Sequence, residues 1–447
     1  MWVSGCDGIV KMKNYTSWGR YPNINQHGVP VGWRDDQLPD VDDSLLPYGQ
    51  GRSYGDCCLN ENGILLDTAE LNRFIFFDKQ LGILRCESGV TLDQVLQLIV
   101  PHGWFLPVTP GTRFVSVGGA IANDVHGKNH HSAGTFGCHL NAFELLRSDG
   151  QRLVCSSKEN SDYYNATIAG MGLTGLITWA EIKLKPIKST MISGESIRFN
   201  SLTEFFSLSE ESDGRWEYTV SWIDGSAKGD NIGRGIFYRG NHADDGGLNA
   251  KALESKMLNV NFDAPEKLLN KMSVSAFNNI IYNKHSAKRK TFNRNIIPFF
   301  YPLDKIGNWN RLYGKSGFLQ FQCVVPLMGE NEENITLKHI LNTISDSGAA
   351  SFLAVLKVFG DSTSPGLMSF PRKGVTLALD FPFRGQKTLT LINKLDDLVC
   401  AAGGAVYPAK DACMKADNFK KYFPQYKEFI KMMDPKFSSS LWRRVYE

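Results

Sequence analysis

The most informative part of this chain is the stretch PGTRFVSVGGAIANDVHGKNHHSAG, residues 110–134. Its first half places Ser116 where it can cap a helix, and glycine and alanine fill most of the next six positions. Such small residues let a ligand lie directly on the backbone beside the N–H groups of a helix N-terminus. Its second half is a loop with three histidines and a lysine. The stretch therefore predicts a ligand-binding segment.

Two more glycine-rich loops lie in the same half of the chain, YGQGRSYGD at residues 48–56 and GMGLTGLI at residues 170–177. Closely spaced glycines let backbone N–H groups point into one concavity, which suits an anion such as a pyrophosphate. Neither the P-loop pattern nor the Rossmann pattern before a long helix is present, so an ordinary tight turn is the alternative for residues 48–56. Together the three loops predict a long ligand that crosses several backbone segments.

The composition excludes several classes of protein. The 447 residues suggest two or three domains, and 42% hydrophobic with 21% charged residues is typical of a globular protein. A net charge of +3 is too small for a dedicated nucleic-acid binder. Nine cysteines, an odd number without a CxxC pair, predict neither a disulfide framework nor a zinc cluster. No apolar run reaches membrane-spanning length and residues 1–15 lack a secretory core, so we expect a location in the cytoplasm or peripheral to the inner membrane.

The pattern of elements predicts an α+β fold. Short strands are expected at 63–67 and 84–87, followed by a helix from Leu92 to about Val100 that Thr91 and Gln94 cap. Longer strands are expected at 217–224, 317–326, 351–359 and 374–383, and a helix at 391–402. Strands separated by helices without a phosphate loop favour an antiparallel sheet covered by helices. Composition changes near 186 and 403 predict three segments, 1–185, 186–403 and 404–447.

Several short sequence motifs, spread over nearly the whole chain, give this sequence a resemblance to a known family. It resembles the flavoproteins of the vanillyl-alcohol-oxidase type, with a PCMH-type FAD-binding domain, and within them the oxidase subunits of decaprenylphosphoryl-β-D-ribose 2-epimerases. The motifs are Gly51-Arg-Ser-Tyr-Gly-Asp56, Pro110-Gly-Thr-Arg113, Val117-Gly-Gly-Ala-Ile-Ala122, the histidine loop 126–134, Gly172-Leu-Thr-Gly175, Pro302-Leu-Asp304, Trp309-Asn-Arg311, Gly317-Phe-Leu-Gln-x-Gln322, Asp380-Phe-Pro382 and Ala409-Lys-Asp411.

The resemblance implies FAD, bound by segment 1–185 together with the returning segment 404–447, and a substrate-binding cap at 186–403. Some members attach the flavin through a histidine in the first loop; Tyr54 stands there, so the FAD is expected to be non-covalent. The implied cofactor-binding residues are Gly49, Gly51, Arg52, Ser53, Tyr54, Gly55, Asp56, Gly111, Thr112, Gly118, Gly119, Ala122, Asn123, His126, Gly127, Asn129, Gly172, Gly175, Ile177 and Tyr407.

Oxidation of an alcohol needs a base whose pKa lies near the working pH, which a histidine or a desolvated lysine provides. The resemblance makes His126 and Lys410 the catalytic candidates, without deciding between them. Their alternatives are a structural histidine in a tight loop and a solvated surface lysine. A metal site at His126, His130 and His131 is disfavoured, since contiguous spacing and missing carboxylate or thiolate partners do not suit a metal.

Five more residues complete the candidate substrate site with Lys410, namely Lys128, Trp222, Gln320, Gln322 and Lys357. The two glutamines alternate along a strand and share one face, which suits a sugar, although edge-strand glutamines are common. Lys357 sits in an apolar strand, where it either binds a phosphate or snorkels to the edge. Trp222 is a core residue on pattern alone, and the resemblance puts it at the sugar pocket. The cysteine that family members carry before Asp380 is replaced here, in Leu377-Ala378-Leu379.

The resemblance implies FAD-dependent oxidation of the ribose 2-hydroxyl of a polyprenyl-phosphoryl-ribose to a ketone, as the oxidative half of a 2-epimerisation in cell-envelope synthesis. Its implied partners are an NAD(P)H-dependent reductase and a quinone or oxygen as electron acceptor. The alternatives are a soluble aldonolactone or alditol oxidase and a flavin-binding scaffold without turnover. The basic stretch from Lys284 to Arg294 and the apolar stretch 296–301 form either a membrane-facing surface or a surface loop with its apolar end in the core.

Overall fold

A computed structural model describes residues 14–254, 257–266, 268–327, 335–349 and 351–446. The sequence analysis expected no secretory core in residues 1–15. Residues 1–13 of that stretch lie outside the described residues. Helices and antiparallel sheets alternate along the chain, so the predicted α+β class is confirmed. Within the described residues, no helix combines the length and the apolar character that crossing a bilayer requires.

Twenty strands form the sheets. In chain order they are β1 His27–Pro30, β2 Leu45–Tyr48, β3 Ile64–Asp67, β4 Phe74–Asp78, β5 Ile83–Glu87, β6 Trp104–Phe105, β7 Leu140–Leu146, β8 Arg152–Ser156, β9 Leu176–Lys183, β10 Lys185–Pro186, β11 Met191–Phe199, β12 Tyr218–Ile223, β13 Gly235–His242, β14 Leu258–Asn259, β15 Arg289–Asn295, β16 Ile306–Gly307, β17 Phe318–Val325, β18 Ala354–Phe359, β19 Gly374–Pro382 and β20 Ala405–Val406, all within the described ranges.

Helices cover the sheets. They are α1 Leu92–Ile99, α2 Val117–Ala122, α3 His130–Ala133, α4 Ser161–Thr167, α5 Leu202–Ser212, α6 Lys271–Lys284, α7 Ile296–Phe300, α8 Ile335–Ser347, α9 Gln386–Ala401, α10 Ala416–Tyr422, α11 Tyr426–Met432 and α12 Ser440–Val445. The short 3₁₀ turn Pro408–Lys410 follows β20 directly. It carries one of the predicted catalytic residues.

Two larger sheets divide the chain. A five-stranded antiparallel sheet has the order β4-β5-β9-β7-β8, and an eight-stranded antiparallel sheet has the order β15-β11-β13-β12-β18-β19-β17-β20. A small parallel sheet, β1-β3-β2, stands beside the first. The large sheet begins at Met191, close to the predicted boundary at 186. The division of cofactor and substrate binding between the two parts stays a prediction.

The predicted strands and the first helix are present with small shifts at their ends. Helix α1 has the predicted cap: the Thr91 side chain accepts from the Gln94 backbone, and the Gln94 side chain accepts from the Thr91 N–H at 2.8 Å. Its apolar face is fully buried. Helix α9 begins at Gln386, five residues before the predicted start, because the polar residues of its first turn carry no apolar signal.

The C-terminal segment joins both parts of the molecule. Strand β20 pairs with β17 at the edge of the large sheet. Further on, Arg444 holds the buried Asp56 carboxylate through two bonds of 2.8 and 2.9 Å, which ties α12 to the end of the first glycine loop. The segment 404–447 thus belongs in part to the large sheet and in part to the N-terminal half.

The basic and apolar stretches separate in the structure. Strand β15 carries exposed basic side chains at the edge of the large sheet, whereas Ile296, Ile297, Phe300 and Tyr301 are buried in the core around α1. The prediction of a greasy surface at 296–301 is therefore wrong. The alternative, a surface stretch whose apolar end lies in the core, is correct for residues 296–301, because burying these side chains removes a large apolar area from water.

Candidate active site

A cavity of about 740 Å³ lies between the two parts of the chain. All three glycine-rich loops form one side of it, and strands β12, β17, β18 and β19 supply the other side. Its volume falls in the range of cavities that bind a cofactor or a small ligand. The loops and strands that the sequence singled out therefore meet at one place.

The glycines shape this cavity by letting segments approach each other. A Cβ atom at Gly49 would lie 2.3 Å from Ser116 Oγ, so only glycine lets the first loop reach the start of α2. Ser116 accepts a bond from the Gly119 N–H and caps this helix, as predicted. In the third loop, Gly172 and Gly175 have positive φ angles of 79° and 138°, a conformation that strongly favours glycine. The three loops therefore expose backbone, rather than side chains, to the cavity.

Four buried side-chain oxygens on the cavity wall have no hydrogen-bond partner among the described residues. They belong to Ser88, Ser221, Gln320 and Gln322. A buried polar atom without a partner costs free energy of about 1–3 kcal/mol, so native proteins rarely leave several of them together. Their grouping around one cavity indicates a polar ligand that supplies the missing bonds.

His126 is held at both ring nitrogens. Its Nε2 lies 2.9 Å from Gln322 Nε2, and its Nδ1 lies 3.1 Å from Lys357 Nζ. Lys357 also donates to the Gly127 carbonyl at 3.0 Å. Burial, together with the neighbouring Lys357 and Lys410, holds the pKa of His126 well below its usual value. His126 is therefore a neutral imidazole at physiological pH.

The hydrogen bonds around Gln322 define which nitrogen of His126 carries the proton. Thr376 donates its hydroxyl proton to the Cys323 carbonyl at 2.8 Å, so its oxygen accepts from the Gln322 amide at 3.1 Å. The same amide group then donates to His126 Nε2, which leaves the proton on Nδ1, facing Lys357. A neutral Lys357 amine accepts that proton. Burial, with Lys128 and Lys410 nearby, lowers the pKa of Lys357 well below its usual value, in agreement with this arrangement.

Lys410 lines the same cavity as the two glutamines. Its ammonium faces the ring of Tyr54 at 5.3 Å and has no hydrogen-bond acceptor among the described residues. Burial lowers the pKa of Lys410, and the nearby Asp380 carboxylate partly offsets this effect. Asp380 accepts from the Gln320 amide and from the Tyr313 hydroxyl, and burial raises its pKa. Lys410 is thus the cavity lysine with a free Nζ and a reduced affinity for its proton.

The cavity also carries further positive charge. Lys128 donates to the Phe300 carbonyl at 3.0 Å, and burial lowers its pKa to about 8. The Arg52 guanidinium stacks on the Trp18 ring at 4.0 Å. Trp222 donates its indole N–H to the Phe352 carbonyl at 3.1 Å and presents its ring to the cavity. A cavity with this many cationic groups favours an anionic ligand.

All predicted site residues line the cavity except three. Gly55 packs against the C-terminal segment, where an added Cβ would lie 1.6 Å from the Asp411 carbonyl oxygen. Asp56 is bound to Arg444, and the Asn129 amide donates to the Pro107 carbonyl at 2.8 Å. These three residues do not line the cavity, and each contacts another part of the protein from behind its loop, so their assignment to cofactor contact stays a prediction.

The neighbouring histidines point elsewhere. His130 packs on Phe359 with ring centroids 4.4 Å apart, and its two nitrogens have no partner among the described residues. His131 pairs with the Trp216 carbonyl at 3.0 Å. Among the residues that the model describes, no three metal-ligating side chains converge. The three histidines therefore serve separate contacts.

Asp380 is a candidate site residue to which the sequence analysis gave no role beyond its place in a motif. It stands opposite Gln320 in the register of β17 and β19, and its charge acts on Lys410. The available signal was a carboxylate inside an apolar strand, the same signal that identified Lys357. Asp304, whose carboxylate accepts from the Arg113 N–H at 2.9 Å, also lines the cavity and was quoted only as part of a motif.

Comparison with known proteins agrees with this geometry. Residues 40–156 match the family model described as an FAD binding domain. Over 418 residues the chain is 36% identical to decaprenylphosphoryl-β-D-ribose oxidase of Mycolicibacterium smegmatis, a match that covers 90% of this chain and 89% of that relative. The chain belongs to the decaprenylphosphoryl-β-D-ribose oxidase family. The resemblance to vanillyl-alcohol-oxidase-type flavoproteins is thereby confirmed, as are the FAD cofactor and the FAD-dependent oxidoreductase class.

Other relatives match a smaller part of this chain. A Streptomyces coelicolor protein described as "Uncharacterized protein in mprA 5'region" is 31% identical over 375 residues, which is 80% of this chain and all of that protein. Human delta(24)-sterol reductase is 36% identical over 111 residues, 25% of this chain and 22% of that enzyme.

The cavity fits FAD on its own structural evidence. FAD presents phosphates, ribityl hydroxyls and ring N–H groups, which can bond the unpartnered Ser88 hydroxyl and the exposed backbone N–H groups of the glycine loops. The residues placed to hold it are those of the three loops together with Arg52 and Tyr407. Tyr407 donates its hydroxyl to the Asn123 carbonyl at 2.7 Å and so connects the C-terminal segment to the second loop.

Proposed function

We propose that this protein oxidises the ribose 2-hydroxyl of a polyprenyl-phosphoryl-ribose to a ketone, with segment 1–185 and the C-terminal segment holding FAD and the large sheet holding the sugar. When bound, FAD supplies the acceptor for the hydride that leaves the alcohol carbon. The observation that carries the proposal is the free Nζ of Lys410, which stands in a cavity beside two amides and in a chain that belongs to an oxidase family.

Lys410 is the base in this proposal, and His126 is a positioning residue. Both nitrogens of His126 are engaged, by Gln322 and by Lys357, so it accepts no proton from a substrate without breaking one of these contacts. The lowered pKa of Lys410 leaves a larger fraction of neutral amine near physiological pH, and its lone pair is not used by another residue. The hydroxyl proton of the substrate therefore passes to Lys410 Nζ.

The substrate groups match the remaining side chains. The unpartnered oxygens of Gln320 and Gln322 accept bonds from sugar hydroxyls. Lys128 supplies positive charge for the phosphate, Lys357 donates its remaining amine N–H to it, and the Trp222 ring supplies an apolar surface for the sugar. A ribose linked to a phosphate uses all of these groups, whereas a free alditol leaves the two lysines unused.

We also infer a partner enzyme from the chemistry of the product. A 2-ketone must be reduced on the opposite face to complete a 2-epimerisation, which takes an NAD(P)H-dependent reductase. The electrons that FAD receives must leave to a quinone or to oxygen before the next turnover. Both partners belong to the proposal.

The test is an anaerobic titration of the FAD-loaded protein, followed by the visible absorbance of oxidised flavin. Polyprenyl-phosphoryl-ribose should bleach the flavin, while free pentoses and alditols should not. Lys410→Ala should keep its FAD and lose the bleaching, and Lys415→Ala, at an exposed lysine paired with Asp397, should behave as the unmodified protein does.

Bleaching by free alditols would replace the proposal by an alditol or aldonolactone oxidase. A protein that binds FAD and is bleached by none of these compounds would indicate a flavin-binding scaffold. Bleaching that persists in Lys410→Ala would remove Lys410 from the role of base.

A further inference from the structure

The mouth of the cavity is bordered by an unusually apolar exposed surface. It consists of Met257, Leu258, Phe262, Leu268, Met272 and Ile280, and we call it the mouth surface. Four of these side chains, at 258, 262, 272 and 280, are between 64% and 82% exposed. Large exposed apolar side chains concentrated in one short segment mark an interaction site rather than ordinary surface.

Helix α6 shows that this exposure is built into the sequence. Its buried face carries Val274, Asn278 and Tyr282, while Met272 and Ile280, two turns apart, point to solvent. A surface helix normally turns its apolar face to the core and its polar face to water. Here the amide of the core-facing Asn278 donates to the Asp224 carboxylate at 2.9 Å and to the Ser351 carbonyl at 3.2 Å, which helps to hold the helix in this orientation.

The mouth surface is continuous with the cavity at both of its ends. Leu258 lies directly opposite Ile306 in the short sheet of β14 and β16, and Ile306 lines the cavity. On α6, Phe277 and Ile281 also line the cavity. An apolar chain attached to a ligand in the cavity would therefore leave it over apolar side chains.

Basic side chains accompany this surface. Lys271 and Lys284 stand at the two ends of α6, Lys305 precedes Ile306, and Arg294 borders both the main cavity and a second cavity that Lys305 also lines. The carboxylate of Asp263 in the same region is already paired with two arginines, and the Glu266 carboxylate accepts from Ser316. The described part of the mouth thus combines apolar and positive groups.

We propose that the mouth surface docks this protein onto an anionic lipid bilayer, with the opening of the cavity against the membrane. Apolar side chains flanked by lysine and arginine are the chemistry of interfacial membrane binding, in which the apolar groups enter the acyl boundary and the basic groups meet anionic headgroups. The inference rests on the proposed function for one point: the lipid chain of a lipid-linked sugar lies in the bilayer, so the opening must face the bilayer to receive the sugar. Binding to lipid is itself independent of turnover.

The experiment is co-sedimentation of the FAD-loaded protein with vesicles of phosphatidylcholine and phosphatidylglycerol, without any substrate. The test variant combines Leu258→Ser, Met272→Ser and Ile280→Ser, none of which lines the cavity. The control variant combines Phe76→Ser, Leu81→Ser and Ile335→Ser, which are similarly exposed away from the mouth. Each lost apolar anchor should weaken partitioning by about five- to tenfold, so the test variant, which loses three, should bind about 10²–10³-fold more weakly and the control should bind as the unmodified protein does.

A second measurement separates docking from folding and from turnover. The test variant should keep its FAD content and should be bleached normally by a short-chain, water-soluble ribosyl phosphate. The proposal is overturned if the unmodified protein stays in the supernatant, if the test variant still sediments, or if light scattering shows that the mouth surface pairs two copies of the chain. Because no sugar is present in the sedimentation assay, its result stands whether or not the proposed oxidation is correct.

Discussion

Replacing Asp380 with asparagine should change the pH dependence of the proposed oxidation in a defined direction. Asp380 is the charge that raises the pKa of Lys410 against the effect of burial. Removing the carboxylate lets the pKa of Lys410 fall further, so the neutral amine forms at lower pH. The acidic limb of the rate of flavin reduction should therefore move to lower pH.

The size of this shift follows from the separation of the two groups. They form no direct ion pair within the described residues, so the distance between them exceeds about 4 Å, at which two unit charges interact by about 4 kcal/mol at an effective dielectric constant of about 20. One pKa unit corresponds to about 1.4 kcal/mol, which limits the shift to less than about 3 units. For a separation between that distance and twice that distance, we expect a shift of about 1.5 to 3 units.

The assay is the anaerobic rate of flavin reduction measured across the pH range at saturating substrate. Asp380→Asn keeps the shape of the side chain, and Gln320 can turn its unpartnered oxygen toward the introduced amide. Asp304→Asn is the matched control, because the Asp304 carboxylate acts on Lys128 and Arg52 rather than on Lys410. An acidic limb that stays in place in Asp380→Asn, or moves to higher pH, would refute the assignment of Lys410 as the base.

Three further predictions concern other parts of the molecule. Lys357→Met should raise KM for the phosphorylated substrate by about 10–100-fold and leave KM for unphosphorylated analogues nearly unchanged, because a hydrogen bond to a charged phosphate contributes about 1.5–3 kcal/mol. Equal effects on both values of KM would contradict phosphate binding by Lys357. Arg444→Met should lower the free energy of unfolding in urea by about 2–4 kcal/mol, since it leaves Asp56 and Asp411 buried without their partner. The deficit should shrink as pH falls, because burial raises the pKa of Asp56 and this carboxyl takes up a proton; an unchanged unfolding midpoint would argue against this ion pair. Acid or detergent denaturation should release all of the flavin into solution, because Tyr54 stands where some family members carry the histidine that links the flavin; flavin that stays with the polypeptide would show otherwise.

Local signals in the sequence predicted the local structure well. The Thr91–Gln94 cap and the Ser116 cap are present because such caps depend on residues three apart in the chain. The start of α9 was not predicted, because its first turn is polar and because the residue before it, Gly385, has no side chain that could form a recognisable cap.

Contacts between distant segments were harder to predict. Gly55, Asp56 and Asn129 lie in loops predicted to bind the cofactor, yet each contacts, from behind its loop, a residue that only the fold brings close. The role of Asp380 depends on the register of β17 and β19 and on a lysine thirty residues further on. Such pairs leave no periodic signal, and only the resemblance brought Lys410 and His126 into one site.

The position of Lys410 has a consequence for how the protein is made. This residue, Tyr407 and strand β20 all belong to the last tenth of the chain, and β20 must pair with β17 before the lysine reaches the two glutamines. A ribosome releases the glycine-rich loops long before it releases this segment. A chain whose synthesis stops before residue 405 would therefore carry the loops but not Lys410, the proposed base, so translation beyond Lys410 is a precondition for the proposed centre.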